Sequence, residues 1–532
     1  MKFMRKQAAA AVLAGLLVLA AAGCGGDKKS DGSKTAAVKD TLKVGVANFA
    51  ASLEPADDDF ARTVVRYGIG ETLVRFDRKM NVTPWLAESW KLGDDKLTWT
   101  FRISDRAVFS NGNKVTGDAV ARSLRRTFDK APRARAMFEC ESIKGDGRNV
   151  IIQTKRPVPK LPNMLGNPLF LIIDTSVQDR DYAKLGPVGT GPYTVKSFSQ
   201  EKCVLERNER YWDGKVPFKT LELPFIDDPN ARALALRKGE VDVAVSVAAG
   251  DMALFGDTDK YRISEIDSAC DAVARLNVKE GRPLADKRVR EALASALDRS
   301  GYCKVLLKGT FRPGGPLLPP SAGYGYDELM QQDKNQYNPE RARKLLKEAG
   351  WKDTNGDGFV DKDGKNLELD CVFCSSLAEL PLFAEATRAD ARKVGIKVNL
   401  KKVDYSVIGK TGGEGAYDLC LARVLAVPGD TEVFLNMYLK SNSGGSNLQN
   451  GGGYSNPKYD GLADTLAVEF DPAKRRALIM EMEKIALEDC PLIVYGYPRT
   501  NIVSSVGVAN ADIQLCDYYW ITREWAPADL IH

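Results

Sequence analysis

The chain has 532 residues, of which 44% are hydrophobic and 28% are charged, and 76 basic against 71 acidic residues give a net charge of +5. This composition is ordinary for a globular protein of several domain-sized units. Lys2, Arg5 and Lys6 lie in a segment that we expect to be removed. The remaining charge of +2 (73 basic against 71 acidic residues) leaves no basic field that would attract nucleic acid.

The N-terminus has the pattern of a bacterial export signal. Three cations precede an apolar run over residues 8–22, which is too short for a membrane-spanning helix. Small residues then lead into Cys24, in an arrangement that resembles a bacterial lipobox. We predict a lipoprotein signal peptide over residues 1–23, lipidation of Cys24 and a flexible tether over residues 24–40. An ordinary secretory signal with a chance cysteine is the alternative.

Apolar periodicity predicts strands and helices that alternate along the chain. Alternation of apolar and polar residues, together with short apolar runs, predicts strands. These are expected at 42–46, 97–103, 150–154, 193–198, near 221, 241–247, 367–373, 396–400 and 492–495. Apolar residues that recur about every 3.6 positions, together with capping residues, predict helices. These are expected after Thr116, over 229–239, from Asp286 to 299, over 338–350, over about 378–394 and after Asp471. Such interleaving favours an α/β fold.

Several stretches carry more specific information than their periodicity. Ala87–Trp90, Phe109–Gly112 and Thr116–Val120 surround the 97–103 strand, and Gly189–Tyr193 (GTGPY) and Tyr211-Trp212 follow. In order and spacing they resemble the signature of the family 5 solute-binding proteins, which are the extracytoplasmic receptors of peptide/nickel ABC importers. The resemblance covers about residues 42–525.

The resemblance implies a fold, a mechanism and a set of partners. It implies a two-lobed periplasmic-binding-protein-like α/β fold of the large class, with an extra subdomain and a cleft that closes by a hinge. We expect lobe one over residues 41–273 plus 487–532, with the subdomain at about 80–168, and lobe two over 274–486. The expected partners are a small-molecule or peptide ligand, an ABC permease and its ATPase. We also expect a monomer without a cofactor, outside the cytoplasm and anchored by lipid to the periplasmic side or the outer face of the membrane.

No catalytic constellation can be assembled from the sequence. The only histidine is His532, so triads that need an internal imidazole are unavailable. Gly409-Lys410-Thr411 is not a phosphate loop, because Asp404 stands where the first glycine is needed. We therefore predict a binding protein. A sensory or docking lipoprotein that uses the same cleft for signalling is the alternative, and a hydrolase is a more remote one.

The candidate ligand-binding residues follow from the resemblance. Peptide binders have an aromatic residue near Leu425 and an Asp near residue 428, and nickel-holding relatives have Trp, Tyr and His around the cleft; these are absent here. The arginines that remain would suit a carboxylate-rich anion, such as a nickel or other metal chelate, or a short peptide. Surface or interlobe salt bridges are the alternative role for them. The candidates are Arg423, Arg133, Arg135, Leu425, Asp430 and Asn48.

Two further motifs have a structural and a functional interpretation. Asp353, Asn355, Asp357 and Asp361 have the spacing of an EF-hand loop, but position 12 is Gly364 instead of Glu. A solvated turn is therefore preferred over a weak calcium site. Cys371 and Cys374 have the spacing of a redox pair, but in a strand they point to opposite faces, which favours core packing.

Overall fold

The computed structural model describes residues 40–47, 51–375, 377–425, 431–441, 450–516 and 518–530. The predicted signal peptide, Cys24 and the tether up to residue 39 lie outside the described residues. Asn48, Asp430 and the side chain of Leu425 also lie outside them. In the part of the chain that is described, no helix has the length and apolar character needed to cross a membrane.

The strands follow one another through the whole described chain. They are β1 Thr41–Gly45, β2 Val74–Phe76, β3 Val82–Pro84, β4 Ala87–Leu92, β5 Thr98–Ile103, β6 Cys140–Asp146, β7 Asn149–Thr154, β8 Tyr193–Phe198, β9 Lys202–Arg207, β10 Thr220–Pro224, β11 Val243–Val245, β12 Tyr261–Asp267, β13 Cys270–Leu276, β14 Phe311–Pro313, β15 Asp361–Lys362, β16 Lys365–Asn366, β17 Glu368–Cys374, β18 Lys397–Val403, β19 Leu419–Leu425, β20 Leu492–Ser505, β21 Val508–Ala509 and β22 Ala526–Pro527.

The helices alternate with these strands. They are α1 Asp58–Arg66, α2 Gly117–Lys130, α3 Pro132–Met137, α4 Leu161–Met164, α5 Tyr182–Leu185, α6 Pro229–Arg237, α7 Lys287–Ala296, α8 Arg299–Gly301, α9 Tyr326–Gln332, α10 Pro339–Glu348, α11 Glu379–Lys393, α12 Tyr405–Glu414, α13 Thr431–Leu439, α14 Pro457–Val468 and α15 Pro472–Asp489. The α/β class is therefore confirmed.

One long strand joins the two lobes. Among the described strands, the main sheet has the order β18-β17-β19-β13-β20-β11-β1-β10-β9-β8, and β12 and β14 also pair with β20. The first residues of β20 pair with β13, from Arg275–Leu492 to Ala272–Gly496. Its later residues pair with β11 and β12, up to Ser504 and Ser505. A second crossing is the turn between β12 and β13, so two chain segments connect the lobes.

Each lobe has its own hydrophobic cores. In lobe one, β1 and β9–β11 bury residues such as Leu42 and Val44 together with the C-terminal Trp520 and Trp525. The subdomain packs α2 against the sheet β4-β5-β7-β6 around Phe101 and Leu124. In lobe two, α7, α10 and α11 cover the sheet made by β13, β17, β18 and β19. The residue bounds of the lobes given above stay a prediction.

Local sequence signals account for many helix starts. The side chain of Thr116 accepts a hydrogen bond from the backbone N–H of Ala119 at 3.2 Å and caps α2. Asp286 and Asn338, followed by Pro339, cap α7 and α10 in the same way. The helix predicted to reach residue 299 ends at Ala296, because Leu297 is extended and Asp298 caps a new turn by accepting from the N–H of Gly301.

Candidate functional site

The lobes contact each other along helices of the subdomain and of lobe two. The Lys96 ammonium lies 5.8 Å from the ring centroid of Phe470, which packs against the subdomain core. Arg133 of α3 lies near Tyr438 of α13: burial raises the pKa of that phenol, and the charges of Arg275 and Arg133 oppose the increase. These contacts place α3 opposite α13 across the interlobe cleft.

A large cavity of about 870 Å³ lies between α3 and α13. Its charged lining residues are balanced by ion pairs, since Arg156 pairs with Glu139, Lys440 with Asp464, and Glu432 with Arg475. Arg135 also lines it, and its guanidinium donates to the carbonyl oxygens of Phe128 and Asp129 at the end of α2. That contact places a cation at the negative end of the helix dipole.

A second cavity of about 350 Å³ lies on the hinge side of the cleft. Lobe one contributes the turn between β2 and β3 and residues of α4, lobe two contributes residues 321–324 and α15, and Ala269 of the β12–β13 turn lies between them. Its described lining includes three cations and no Asp or Glu. The lining residues are Lys79, Met80, Asn81, Lys160, Asn163, Ala269, Ser321, Ala322, Gly323, Tyr324, Thr431, Pro472, Arg476 and Leu515.

Two of the three cations of this cationic cavity, Lys79 and Arg476, form no ion pair with a described carboxylate. Arg476 donates to the carbonyl oxygen of Gly323 at 2.6 Å, and its guanidinium lies 5.8 Å from the Tyr324 ring centroid. Among the described carboxylates none forms an ion pair with Arg476 or with the exposed Lys79. Cations in a shared cavity create a positive potential that attracts an anion from solution.

The arginines predicted from sequence lie in different places. Arg133 and Arg135 lie on the α3 side of the cleft. Arg423 lines neither cavity: its Nε is 3.0 Å from a carboxylate oxygen of Glu379, and its guanidinium lies 5.9 Å from the Phe311 ring centroid. The structure therefore does not bring the three arginines together, and their role in ligand binding stays a prediction.

The residues of the cationic cavity were missed by the sequence analysis. Lys79, Lys160 and Arg476 are single cations on three separate elements, without any motif around them. Only the closure of the two lobes brings them to one cavity. No local signal in the sequence could have identified them.

Lobe two also buries two carboxyl groups near the cleft helices. Both carboxylate oxygens of Asp271 are buried without a hydrogen-bond partner, and burial raises its pKa well above the usual range. Glu483 accepts from the backbone N–H groups of Leu317 and Leu318 at 2.8 and 3.1 Å, and burial raises its pKa to about 8. Burial therefore favours the protonated form of both groups, and Glu483 is largely protonated at neutral pH.

One buried carboxylate joins two of the motifs described above. Glu71 is fully buried and accepts hydrogen bonds from Thr190 of the GTGPY turn at 2.8 Å and from Tyr211 and Trp212 at 2.8 and 2.7 Å. Burial raises the pKa of Glu71 to about 7, and these donors oppose the increase. Glu71 and the two motifs form a structural unit of lobe one.

The acidic turn of lobe two uses its oxygens within the turn itself. Asp353 accepts from the N–H groups of Gly356 and Gly358, and Asp357 accepts from Phe359 and Asn366. Asp361 accepts from the backbone N–H and the hydroxyl of Thr354. No cluster of three metal-ligating side chains occurs among the described residues. The weak calcium site stays a prediction.

Comparisons with known proteins identify the family. The family model for bacterial extracellular solute-binding proteins, family 5 Middle, matches residues 81–446. The nickel-binding periplasmic protein of Escherichia coli (strain K12) is 26% identical over 454 residues, which cover 83% of this chain and 86% of that protein. The oligopeptide-binding protein AppA of Bacillus subtilis (strain 168) is 27% identical over 439 residues, which cover 76% and 78%.

A solved structure shows the same fold. NikA from Brucella suis in complex with Fe(III)-EDTA superposes with a TM-score of 0.81 at 24% identity, over 91% of this chain and 99% of that one. The two-lobed α/β architecture is therefore confirmed. Because the family model covers more than half of its residues, this chain belongs to the bacterial extracellular solute-binding proteins of family 5.

Proposed function

We propose that the protein captures a small, carboxylate-rich anion, or a metal chelate of such an anion, between its lobes. The observation that carries this proposal is the cationic cavity with Lys79, Lys160 and Arg476 and no described acidic lining residue. Its volume of about 350 Å³ suits a ligand of the size of citrate or a small chelate. Hinge closure would bury the ligand, and an ABC permease with its ATPase would then import it.

The relatives support a ligand of this class and leave one alternative. The E. coli relative is a nickel-binding protein, and the Brucella protein was solved with Fe(III)-EDTA, which is a polycarboxylate chelate. The Bacillus relative binds oligopeptides, so a short peptide is the second candidate. A peptide's ammonium group needs an acceptor, and Asp271 is the described carboxylate whose oxygens lack partners. Asp271 is fully buried, and burial raises its pKa well above the usual range; this disfavours the charged carboxylate that an ammonium group would need, and so favours the anion.

The proposal includes the location and the partners of the protein. Lipidation of Cys24 would hold it on the outside of the cell membrane, close to the permease. Labelling of the cells with an alkyne fatty acid tests this, because Cys24→Ala should abolish the label. A sensory role would use the same cleft, and loss of uptake of the ligand in a deletion strain would decide for transport.

The first experiment identifies what the cleft carries. Full-length protein is purified from its native host in mild detergent and weighed by native mass spectrometry. A bound polycarboxylate or metal chelate supports the proposal, whereas a ladder of peptide masses contradicts it.

Titration calorimetry then tests the cationic cavity with citrate, with and without Ni²⁺. We expect Lys79→Gln and Arg476→Gln each to weaken binding by about tenfold, as for a lost contact to a charged group. Lys91→Gln removes an exposed lysine of β4 that does not line the cavity, and it should bind like the wild type. Equal affinity of all three variants would reject the cavity as the site.

A further inference from the structure

Lobe one contains a pocket of its own, which we call the lobe-one pocket. Its volume is about 490 Å³, within the usual range for sites of small organic ligands. It lies between the β2–β3 hairpin, the end of α1 and the residues Gln514 and 519–524, and it shares no lining residue with the two interlobe cavities described above. Neither of those cavities therefore accounts for it.

Aromatic side chains form much of the wall of this pocket. Phe76, Trp85, Tyr211 and Tyr519 line it, and the rings of Trp85 and Tyr519 meet edge to face at 5.4 Å between centroids. Trp85 and Tyr211 are only partly buried, although they pack against the core of lobe one. Partly exposed aromatic faces inside a concave pocket are surfaces that a planar apolar ligand can cover.

One cation beside these rings lacks a carboxylate partner. The Arg75 guanidinium lines the pocket and lies 6.0 Å from the Trp85 ring centroid, and within the described part of the chain it forms no ion pair. An arginine can bind a planar carboxylate through two parallel N–H groups.

The acidic residues of the pocket do not fill that role. Glu71 accepts three hydrogen bonds from Thr190, Tyr211 and Trp212. Asp77 accepts from its own turn, through the backbone N–H groups of Lys79 and Asn81 and the side chain of Asn81. Glu524 is exposed. None of them hydrogen-bonds the Trp85 indole or the Arg75 guanidinium.

We infer that the lobe-one pocket is a second ligand site, which binds a planar apolar compound that carries one carboxylate. The aromatic walls take the ring system, and Arg75 takes the carboxylate. This site is independent of the cleft and of the solute that the cleft captures.

The test uses 2-naphthoate as the anionic probe and 2-naphthylmethanol as its neutral counterpart, titrated by calorimetry into the full-length protein in detergent. Arg75→Gln removes the cation and keeps a polar side chain of similar reach. We expect it to weaken binding of 2-naphthoate by about tenfold and to change binding of the alcohol little. Gln514→Trp places a large side chain in the pocket and should abolish binding of both probes.

The position of the ligand is checked in crystals soaked with 6-bromo-2-naphthoate. A bromine anomalous peak among Phe76, Trp85 and Tyr519 supports the site, and a peak in the interlobe cleft or none at all overturns it. Equal binding of 2-naphthoate by the wild type and by Gln514→Trp would also overturn it. Arg476→Gln is the matched control: it should weaken citrate binding in the cleft but leave 2-naphthoate binding unchanged. The two proposals can therefore fail separately.

Discussion

At the scale of single residues, Glu483 links the stability of lobe two to pH. Its carboxyl group is fully buried, and burial raises its pKa from 4.5 to about 8. The folded protein therefore holds this proton more tightly than the unfolded chain does. The stabilisation is complete below a pH of about 4.5, the ordinary value, and is lost as the pH rises through about 8.

We expect the melting temperature to decrease from about pH 5 to about pH 8, and Glu483→Gln to make this decrease shallower. The variant is less stable at pH 5, because the amide can accept from only one of the N–H groups of Leu317 and Leu318. Glu481→Gln, on the same helix but exposed and paired with Lys458, should keep the wild-type slope. Calorimetric scans at several pH values measure the slopes, and an unchanged slope in Glu483→Gln would contradict the assignment.

The role of a residue can be predicted from the sequence when its contacts are with residues close to it in the chain. Thr116, Asp286 and Asn338 cap helices that begin one residue later, so their roles could be predicted from spacing alone. Glu483 and Arg476 carry no such signal. The burial of Glu483 and the cavity that Arg476 lines are formed by segments more than a hundred residues away in the chain.

At the scale of elements, the contact of α2 with the subdomain sheet depends on glycine. A Cβ at Gly117 would lie 1.9 Å from the carbonyl oxygen of Asn149, which belongs to β7. Backbone cannot move away as a flexible side chain can. The first turn of α2 therefore reaches the sheet only without a side chain at this position.

Gly117→Ala should lower the free energy of unfolding by about 2 kcal/mol or more, the usual cost of overpacking. The matched control is Gly461→Ala in α14, where a Cβ would meet nothing within 4 Å. That variant should gain up to about 1 kcal/mol from helix propensity. Urea denaturation measures both values. Equal stability of the two variants would show that α2 can shift on the sheet.

Element order could be predicted better than element ends. The alternation of strands and helices, and the β5 strand with its apolar face, follow from side-chain period. The strand predicted over 241–247 is shorter, Val243–Val245, since Ser246 has a φ of 57° and leaves the extended conformation. The pairing of β20 with strands of both lobes depends on contacts between segments that are far apart in the chain. The spacing of apolar residues within one segment carries no information about such contacts.

At the scale of the whole molecule, the charge of the cleft predicts the response of binding to salt. The cationic cavity holds Lys79, Lys160 and Arg476. Their attraction for an anion is screened as the Debye length falls from about 10 Å at 0.1 M salt to about 3 Å at 1 M. We expect citrate affinity to fall as KCl rises over this range, and Lys79→Gln to reduce the slope. Calorimetry at several salt concentrations checks this, and salt-independent binding would contradict a cationic site.

One ion pair in the hinge region connects the two lobes. Asp267, at the end of β12 in lobe one, lies 3.4 Å from Arg312 of β14 in lobe two. These groups are partly exposed, so the pair contributes at most about 1 kcal/mol. Such a contribution is large for an equilibrium between open and closed forms, because about 1.4 kcal/mol changes the ratio tenfold.

We expect Asp267→Asn to shift the ligand-free protein towards the open form and to weaken ligand binding by up to about fivefold. The ligand must then supply the closing energy that the ion pair with Arg312 no longer supplies. Small-angle X-ray scattering should show a larger radius of gyration for the ligand-free variant and the wild-type value at saturating ligand. Asp257→Asn removes a pair with Lys260 within lobe one and should change neither quantity. A wild-type radius and affinity for Asp267→Asn would show that closure depends on the ligand and the lobe surfaces instead of on the hinge.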